Sequence, residues 1–180
     1  MERATIVLTR IDQRLVHGQV GSSWGNAIDV DTLVVIDDET VQNVLSRKLM
    51  ESVARASSKK ICFYSIDRFV ETYFKTESSQ KLFLVVISPI VARTLVERNI
   101  PIQSINVGNL HYSKGKAVLN RKVYLDDEEI EAFNYLTGKG IDVFYQDVPG
   151  AMVEKIYKLE RAGKTVLNQK ASTGSAVGSA

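Results

Sequence analysis

Two arginines, an aspartate and a histidine lie close together in the segment RIDQRLVHGQV, residues 10–20 of the sequence. A neutral histidine nitrogen is a nucleophile, and the positive charges of Arg10 and Arg14 favour the neutral form of the His17 imidazole. Guanidinium groups also bind phosphate oxygens in pairs and neutralise a phosphoryl group as it arrives and departs. The segment therefore indicates that His17 carries a phosphoryl group that Arg14 and Arg10 stabilise. A surface ion pair with Asp12 is the alternative role for Arg10.

The residues that flank this histidine have further roles in the predicted site. Gly18 and Gln19 stand where a first helix is expected to begin. The free backbone N–H groups of a first helical turn bind anions, so we assign Gly18 and Gln19 to phosphate binding. Asp12 is interpreted as the carboxylate that orients Arg14, with capping of the loop as its alternative role.

Other residues could contribute to a site, and each also has a plain structural explanation. Trp24 suits the core, although a ring near the mouth of the site could face a partner. Asp37 and Asp38 follow the second predicted strand, where they either line the site or cap the next helix. His111 stands in a polar loop that is flanked by glycines and is assigned to the surface or the rim of the site. Cys62 lies in the apolar run ICFY, which places it in the core.

The order of apolar runs predicts the elements that position these side chains. Runs of strand length alternate with stretches of helical period. The predicted strands cover residues 4–8, 32–37, 60–64, 82–87, 104–108 and 141–146. The predicted helices cover residues 18–28, 40–56, 67–75, 90–97, 127–137 and 151–161. This alternation predicts an α/β fold, an open and mostly parallel twisted sheet with helices on both faces in three layers.

Such a sheet binds ligands beyond the carboxyl ends of its strands, at the point where the strand order reverses. The loop after the first strand is a favoured place for that point. The segment of residues 10–20 stands in this loop, so the predicted fold places its charged side chains where a ligand binds.

Length and composition are those of one domain. The 180 residues with 44% hydrophobic content suit a single core. We assign residues 1–165 to a domain and residues 166–180, which end in ASTGSAVGSA, to a flexible tail or a product of expression. A net charge of +2 without a basic run argues against nucleic-acid binding. One cysteine and the absence of a long apolar run predict a soluble, cytoplasmic protein.

Several segments together resemble one protein family. They are RIDQRLVHGQV, the tryptophan that follows it, DDE after the second strand, SP after LVVI, and INVGNLHYSKGK. Over residues 6–149 the sequence resembles the IIB component of the mannose and sorbose type of sugar phosphotransferase system (PTS). The resemblance implies the same open α/β sheet that the sequence pattern predicts.

The resemblance also implies a reaction and its partners. His17 would accept a phosphoryl group from the IIA component and pass it to a sugar carried by the membrane components IIC and IID, and Arg14 would aid the transfer. The chain would need no metal or organic cofactor, because its donor is already a phosphohistidine. The sugar stays open among mannose, fructose, sorbose and N-acetylated hexosamines, as does assembly into a homo-oligomer.

Two other classes of function remain as alternatives. A receiver-like domain or Mg-dependent phosphatase would use Asp12, Asp37 and Asp38 to hold Mg²⁺ and to supply a carboxylate nucleophile. That interpretation leaves Arg14 and His17 without a role. The other alternative is a nucleotide-binding module without catalytic activity, but the first turn lacks both the G-x-G-x-x-G and the G-x-x-x-x-G-K-[ST] pattern.

Overall fold

The structure is a computed structural model that describes residues 2–170, apart from the side chain of Gln19. Its strands are β1 (Thr5–Ile11), β2 (Thr32–Ile36), β3 (Lys60–Tyr64), β4 (Lys81–Val86), β5 (Ser104–Val107), β6 (Ala117–Asn120), β7 (Val123–Leu125), β8 (Asp142–Tyr145), β9 (Glu154–Lys155), β10 (Lys158–Ala162) and β11 (Thr165–Gln169). Its α-helices are α1 (Gly25–Ala27), α2 (Val44–Ala56), α3 (Ile66–Lys75), α4 (Pro89–Glu97) and α5 (Asp127–Gly138). A π-helix, Gln19–Trp24, precedes α1, and a 3₁₀ turn, Thr40–Gln42, precedes α2.

The main sheet contains seven strands in the order β3-β2-β4-β1-β5-β8-β9. The strands from β3 to β8 pair in parallel, and β9 pairs antiparallel with β8. Each predicted strand corresponds to one of these parallel strands, and the prediction of an α/β fold with a mostly parallel sheet is confirmed. The first strand is longer than expected and extends to Ile11, which places Arg10 inside the sheet.

Hydrophobic cores cover both faces of this sheet, because alternate residues of a strand point to opposite faces. In β4, Leu84 and Val86 belong to the core that includes residues of α3, α4 and α5. Phe83 and Val85 belong to the other core, which includes Met50 of α2 and residues of the π-helix. The predicted three layers are therefore present.

A second, smaller sheet with the order β10-β11-β6-β7 was not predicted. The predicted helix over residues 151–161 is wrong, since this segment forms β9 and β10. Ile156 and Leu159 are buried at a spacing that also suits a helix. However, the Asn134 side chain in α5 donates to the Leu159 carbonyl at 2.8 Å and accepts from its N–H at 2.7 Å. Together with the β10–β11 pairing, these tertiary contacts outweigh the local pattern.

The end of the folded domain also differs from the prediction. The boundary expected after residue 165 falls inside β11, so residues 166–169 belong to the fold. The predicted flexible end at 171–180 lies outside the described residues. Across the described part of the chain, each helix is too short or too polar to cross a membrane.

Candidate functional site

The loop after β1 lies where the strand order of the main sheet reverses. β1 stands between β4 on one side and β5 on the other. The connections among β1, β2, β3 and β4 build one half of the sheet, and those among β5, β8 and β9 build the other half. Because open α/β sheets bind ligands at such a switch point, residues 12–18 occupy the position that the sequence predicted.

Asp12 is the centre of this loop, and its carboxylate is fully buried. Its Oδ1 accepts hydrogen bonds from the backbone N–H of Arg14 at 3.0 Å and from the Arg14 Nε at 3.2 Å. Its Oδ2 lies 2.9 Å from Arg10 Nη2, 3.3 Å from Arg14 Nη2 and 3.3 Å from His17 Nε2. The Asp12 carboxylate thus contacts the other three charged or titratable side chains of residues 10–20, those of Arg10, Arg14 and His17.

These contacts keep Asp12 ionised although it is buried. Burial alone raises the pKa of the Asp12 carboxyl, but hydrogen bonds from His17 and Arg14 and the charge of Arg10 outweigh it and lower the pKa below its usual range. The predicted role of Asp12 as the group that orients Arg14 agrees with this geometry.

The same contact defines the tautomer of His17. A carboxylate can only accept a hydrogen bond, so the bond between Asp12 Oδ2 and His17 Nε2 requires the proton on Nε2. The electron pair of Nδ1 is then available as the nucleophile in the neutral ring. The side chain of His17 is 21% exposed, which allows a partner to reach it.

Arg14 is the exposed arginine of the site, with 36% of its side chain accessible. Its Nε and Nη2 both donate to Asp12, which fixes the orientation of the guanidinium. A guanidinium carries five N–H donors, so the Nη1 hydrogens and one Nη2 hydrogen remain for an incoming anion. The geometry therefore fits an arginine that is held by a carboxylate on one edge and binds phosphoryl oxygens with the other.

Arg10 occupies the opposite side of Asp12 and is fully buried. Its guanidinium donates to Asp12 Oδ2, to Asn106 Oδ1 and, at 3.4 Å, to the carbonyl of Gln146. Desolvation by burial lowers the pKa of Arg10, and the neighbouring Asp12 opposes this effect. This burial speaks against the prediction that Arg10 contacts phosphate. The alternative ion pair with Asp12 is present, but it is buried and not at the surface.

Several residues around Arg10 were missed by the sequence analysis. Asn106 at the end of β5 is fully buried and donates from Nδ2 to the Gln146 carbonyl at 3.1 Å. Gly108 lies so close to the Arg10–Asp12 pair that a Cβ atom would be 2.5 Å from Asp12 Oδ2. The available signal was a polar residue inside an apolar strand, followed by glycine, in the segment INVG.

Trp24 belongs to the core, which was the first of the two roles predicted for it. It is 4% exposed, and its ring lies 5.4 Å from the centre of the Arg10 guanidinium. Its Nε1 donates to the carbonyl of Asp147 at 3.1 Å, which joins the end of the π-helix to the loop after β8.

Leu15 adds backbone strain to the loop between Asp12 and His17. Its φ of 53° lies in the left-handed region, which costs a non-glycine residue about 1–3 kcal/mol. The Leu15 side chain is 3% exposed, and its N–H donates to the Asp12 carbonyl at 2.9 Å. Burial of this side chain and the tight turn at Asp12 therefore hold the loop in a conformation that it would not adopt alone.

Gly18 and Gln19 stand at the start of the π-helix, beside His17. Gly18 is exposed, has helical backbone angles, and leaves open space where a Cβ would lie. The side chain of Gln19 lies outside the described part of the structure. The expected α-helix over 18–28 begins instead as a π-helix, a form that occurs often at functional sites.

Of the two acidic residues after β2, Asp37 caps the turn that follows, whereas Asp38 bonds the start of α3 and not the next helix. Asp37 Oδ2 accepts from the N–H of Thr40 at 2.8 Å, and Asp38 Oδ1 accepts from the N–H of Ile66 at 2.9 Å. His111 is exposed, and its backbone N–H donates to Gln13 Oε1, so it lies at the rim of the loop as expected.

These contacts speak against a magnesium site. Asp12 is bound to two arginines and a histidine, while Asp37 and Asp38 bind backbone N–H groups elsewhere. Among the residues that the structure describes, no group of three or more His, Cys, Asp or Glu side chains could hold a metal ion.

Comparison with known proteins identifies one family. The family model described as "PTS system sorbose subfamily IIB component" matches residues 6–171. The N-acetylgalactosamine-specific phosphotransferase enzyme IIB component 1 of Escherichia coli (strain K12) is 40% identical over 156 residues, which cover 87% of this chain and 99% of that protein.

Solved structures give the same result for the fold. The crystal structure of the N-acetylgalactosamine-specific IIB component 1 from Escherichia coli matches with a TM-score of 0.80 at 41% identity, over 84% of this chain and 99% of the other. The IIBSor domain of the sorbose permease from Klebsiella pneumoniae matches with a TM-score of 0.76 at 25% identity, over 83% and 92% of the two chains.

Proposed function

Because the chain belongs to the sorbose subfamily of the IIB components of the sugar phosphotransferase system, we propose that it carries a phosphoryl group on His17. In this proposal His17 accepts the group from a IIA component and donates it to a sugar during uptake through the membrane components IIC and IID. The activity is that of a protein-Nπ-phosphohistidine–sugar phosphotransferase, and it takes place on the cytoplasmic side of the membrane.

The hydrogen bond between His17 Nε2 and Asp12 Oδ2 is the observation that carries this proposal. It places the proton on Nε2 and leaves Nδ1 as the nucleophilic nitrogen. A phosphoryl group on Nδ1 gives the ring imidazolium character, and the ionised Asp12 stabilises that charge through Nε2–H, as a triad aspartate does. In this proposal the same carboxylate sets the tautomer of free His17 and stabilises the phosphorylated form.

Acceptance is a displacement at phosphorus. The Nδ1 electron pair of His17 forms the new P–N bond, and the P–N bond of the donor phosphohistidine breaks with its electron pair returning to the donor nitrogen. In donation, a sugar hydroxyl oxygen attacks the phosphorus, and the P–Nδ1 bond breaks with its electrons returning to His17. The hydroxyl proton passes to water or to a base of the membrane components. The proposal includes no metal or organic cofactor, because the donor is already a phosphohistidine.

Arg14 is the proposed stabiliser of the transferring group. Its edge opposite Asp12 offers N–H donors to the phosphoryl oxygens, and paired donors suit both the ground state and the charge that develops during transfer. Gly18 and Gln19 begin the π-helix directly after His17, and we assign the free backbone N–H groups of this first turn to the proposed phosphate site.

Exposed apolar side chains at the start of α2, which follows the carboxyl end of β2 on the same edge of the sheet as the loop after β1, support a protein partner. Val44, Leu45 and Leu49 of α2 are 54%, 69% and 63% exposed. α2 packs against the π-helix that follows His17, because the position of Gly21 adjoins Val53 of α2. We propose that IIA and the membrane components compete for this face, and that a small interface with a charged rim allows rapid release.

The sugar is inferred from the relatives. The relative and the solved structure named for N-acetylgalactosamine are 40% and 41% identical to this chain, whereas the sorbose permease domain is 25% identical. N-acetylgalactosamine is therefore the first sugar to test, by measuring which sugar drains the label from the phosphorylated protein in the presence of membranes that contain IIC and IID.

A labelling experiment tests the function itself. His17→Ala, incubated with a phosphorylated IIA donor, should take up no label, and His111→Ala should be labelled like the unmodified protein. Label retained on His17→Ala would contradict the assignment. The label should also be lost in acid and survive base, as expected for a P–N bond, and an acid-stable label on the unmodified protein would indicate a carboxylate or hydroxyl carrier instead.

A further inference from the structure

The guanidinium of Arg10 is enclosed beneath the site by groups from separate strands. Asn106 at the end of β5 and the carbonyl of Gln146 after β8 accept its Nη1 hydrogens, while Asp12 accepts from Nη2 at 2.9 Å. The Trp24 ring lies 5.4 Å from the guanidinium carbon. These contacts hold the side chain in one orientation and leave it without contact with solvent.

Asn106 determines which edge of the guanidinium faces Asp12. Its amide is itself fixed, because Nδ2 donates to the Gln146 carbonyl at 3.1 Å and Oδ1 must then accept from Arg10. An amide carries one acceptor end and one donor end, so both ends of Asn106 are used in this arrangement. The polar side chain in the middle of the sheet is thereby satisfied only together with Arg10.

Gly108 provides the space in which Arg10 and Asp12 meet. A Cβ atom at this position would lie 2.5 Å from Asp12 Oδ2, 2.6 Å from Arg10 Cζ and still closer to Arg10 Nη2. Its N–H also donates to the Ile11 carbonyl at 2.8 Å, so the backbone cannot move away without losing a hydrogen bond between β5 and β1. Any larger residue would have to displace the ion pair.

We propose that Asn106 and Gly108 are positioning residues for phosphoryl transfer, which act through Arg10 to fix Asp12 and, through Asp12, the Nε2–H of His17 and the inner edge of Arg14. The inference rests on the proposed function of His17. Neither residue contacts the transferring group. A displacement of about 1 Å in reacting groups can lower a rate roughly 10²-fold, so loss of this support affects transfer without removing any group that performs it.

Isotope-labelled protein provides the test. Asn106→Leu replaces the amide by an apolar side chain of similar size, and Gly108→Ala introduces the Cβ. Thr9→Val is the matched control, because Thr9 neighbours Arg10 on β1, is fully buried, and has an Oγ1 without a hydrogen-bond partner in the described part of the chain. The ¹⁵N and ¹H resonances of His17 Nε2–H are recorded without any phosphoryl donor, and the acceptance rate from phosphorylated IIA is then measured.

We expect the unmodified protein and Thr9→Val to show a hydrogen-bonded His17 Nε2–H that exchanges slowly with water. In Asn106→Leu and Gly108→Ala this resonance should shift or broaden, and acceptance should fall by about 10²-fold. A folded Asn106→Leu with an unchanged Nε2–H resonance and an acceptance rate close to that of Thr9→Val would overturn the proposal. The resonance is read without phosphate, so it separates failure of positioning from failure of the proposed function.

A measurement on the unmodified protein covers the case in which neither variant folds. The Arg10 Nη hydrogens should exchange with water far more slowly than those of Arg14, because Asn106 and Gln146 bind them in a buried site. Equal exchange at the two arginines would show that Arg10 is not held in place, and the proposal would be wrong.

Discussion

Asp12 has an arginine on each side, and the two sides of the carboxylate differ in almost every other respect. On the inner side Arg10 is fully buried and bound to Asn106 and Gln146. On the outer side Arg14 is 36% exposed and bound to Asp12 alone among the described residues. The inner side holds the carboxylate in place, while hydrogen bonds from His17 and Arg14 on the outer side, together with the charge of Arg10, keep it ionised. The outer side also leaves His17 and the free N–H donors of Arg14 accessible. We therefore propose that the two arginines of one short motif serve different purposes, Arg10 in the fold and Arg14 in the chemistry.

Loss of the inner arginine should have the largest effect on stability. Arg10→Met keeps the length of the side chain but leaves Asp12 buried without its strongest partner on that side. Breaking a buried pair in this way typically costs about 3–5 kcal/mol of unfolding free energy. Urea denaturation followed by far-UV circular dichroism measures the loss.

Arg14→Met is the matched control for that comparison. Its pair with Asp12 is partly exposed, so its unfolding free energy should stay within about 1 kcal/mol of the unmodified protein. Equal losses in the two variants would remove the distinction between the inner and the outer side.

Arg14→Lys tests the chemical role of the outer side. Lysine keeps the charge but loses the planar pair of donors, so the variant should fold normally and transfer slowly. Removal of one such stabilising donor typically costs about 2.7–4 kcal/mol in the transition state, or roughly 10²–10³ in rate.

The measurement loads Arg14→Lys with labelled phosphate and follows its loss to membranes that contain the transporter and sugar. Acceptance from IIA should survive better than donation, because the sugar is a poorer, neutral acceptor. A donation rate within about threefold of the unmodified protein, far less than the loss expected for a missing donor, would mean that the backbone N–H groups suffice.

The acid dependence of stability tests the carboxylate that both sides share. The pKa of Asp12 in the folded protein lies below its ordinary value of 3.8, because hydrogen bonds and arginine charges outweigh burial. The unfolded chain therefore binds more protons at acid pH, and the stability contributed by Asp12 is complete above that value and is lost as the pH falls below it.

Asp12→Asn should consequently show a shallower fall in unfolding free energy between about pH 4 and pH 2 than the unmodified protein. Denaturation midpoints at several pH values give the two slopes. Equal slopes would indicate that Asp12 is not held as an ion in the folded state.

The outer side of the site was predictable from sequence because its residues are close together in the chain. Arg14, His17 and Gly18 belong to one loop, and the rule that ligands bind at a switch point places this loop correctly. The role of Arg10 could not be predicted in the same way. Its burial depends on β1 extending to Ile11 and on Asn106, which lies far away in sequence.

The fold shows the same limit. The strands of the parallel sheet are continuous apolar runs, and such runs identify buried strands without knowledge of their partners. The segment with Ile156 and Leu159 has a helical spacing instead, and only the pairing of β10 with β11 and the Asn134 side chain make it a strand. The apolar runs therefore predicted the buried strands, whereas in residues 151–161 the helical spacing of apolar residues is outweighed by the hairpin of β10 with β11 and by the contact with Asn134 in α5.

The smallest predicted effect on stability and transfer is that of replacing Gly18, the glycine on the outer side. Gly18 has helical backbone angles and open space at its Cβ position, whereas a Cβ at Gly108 would collide with the inner ion pair. Gly18→Ala should therefore fold, and the reduced freedom of its unfolded chain should raise the unfolding free energy by about 0.4–1 kcal/mol. Gly18 directly follows His17 in the chain and is exposed, so a methyl group added there should slow acceptance from IIA, though less than donation slows in Arg14→Lys. On the same preparation, urea denaturation gives the unfolding free energy and the labelling assay gives the rate of acceptance. A loss of stability in Gly18→Ala would mean that the space is filled in solution, and the contrast between an open outer side and a closed inner side would not hold.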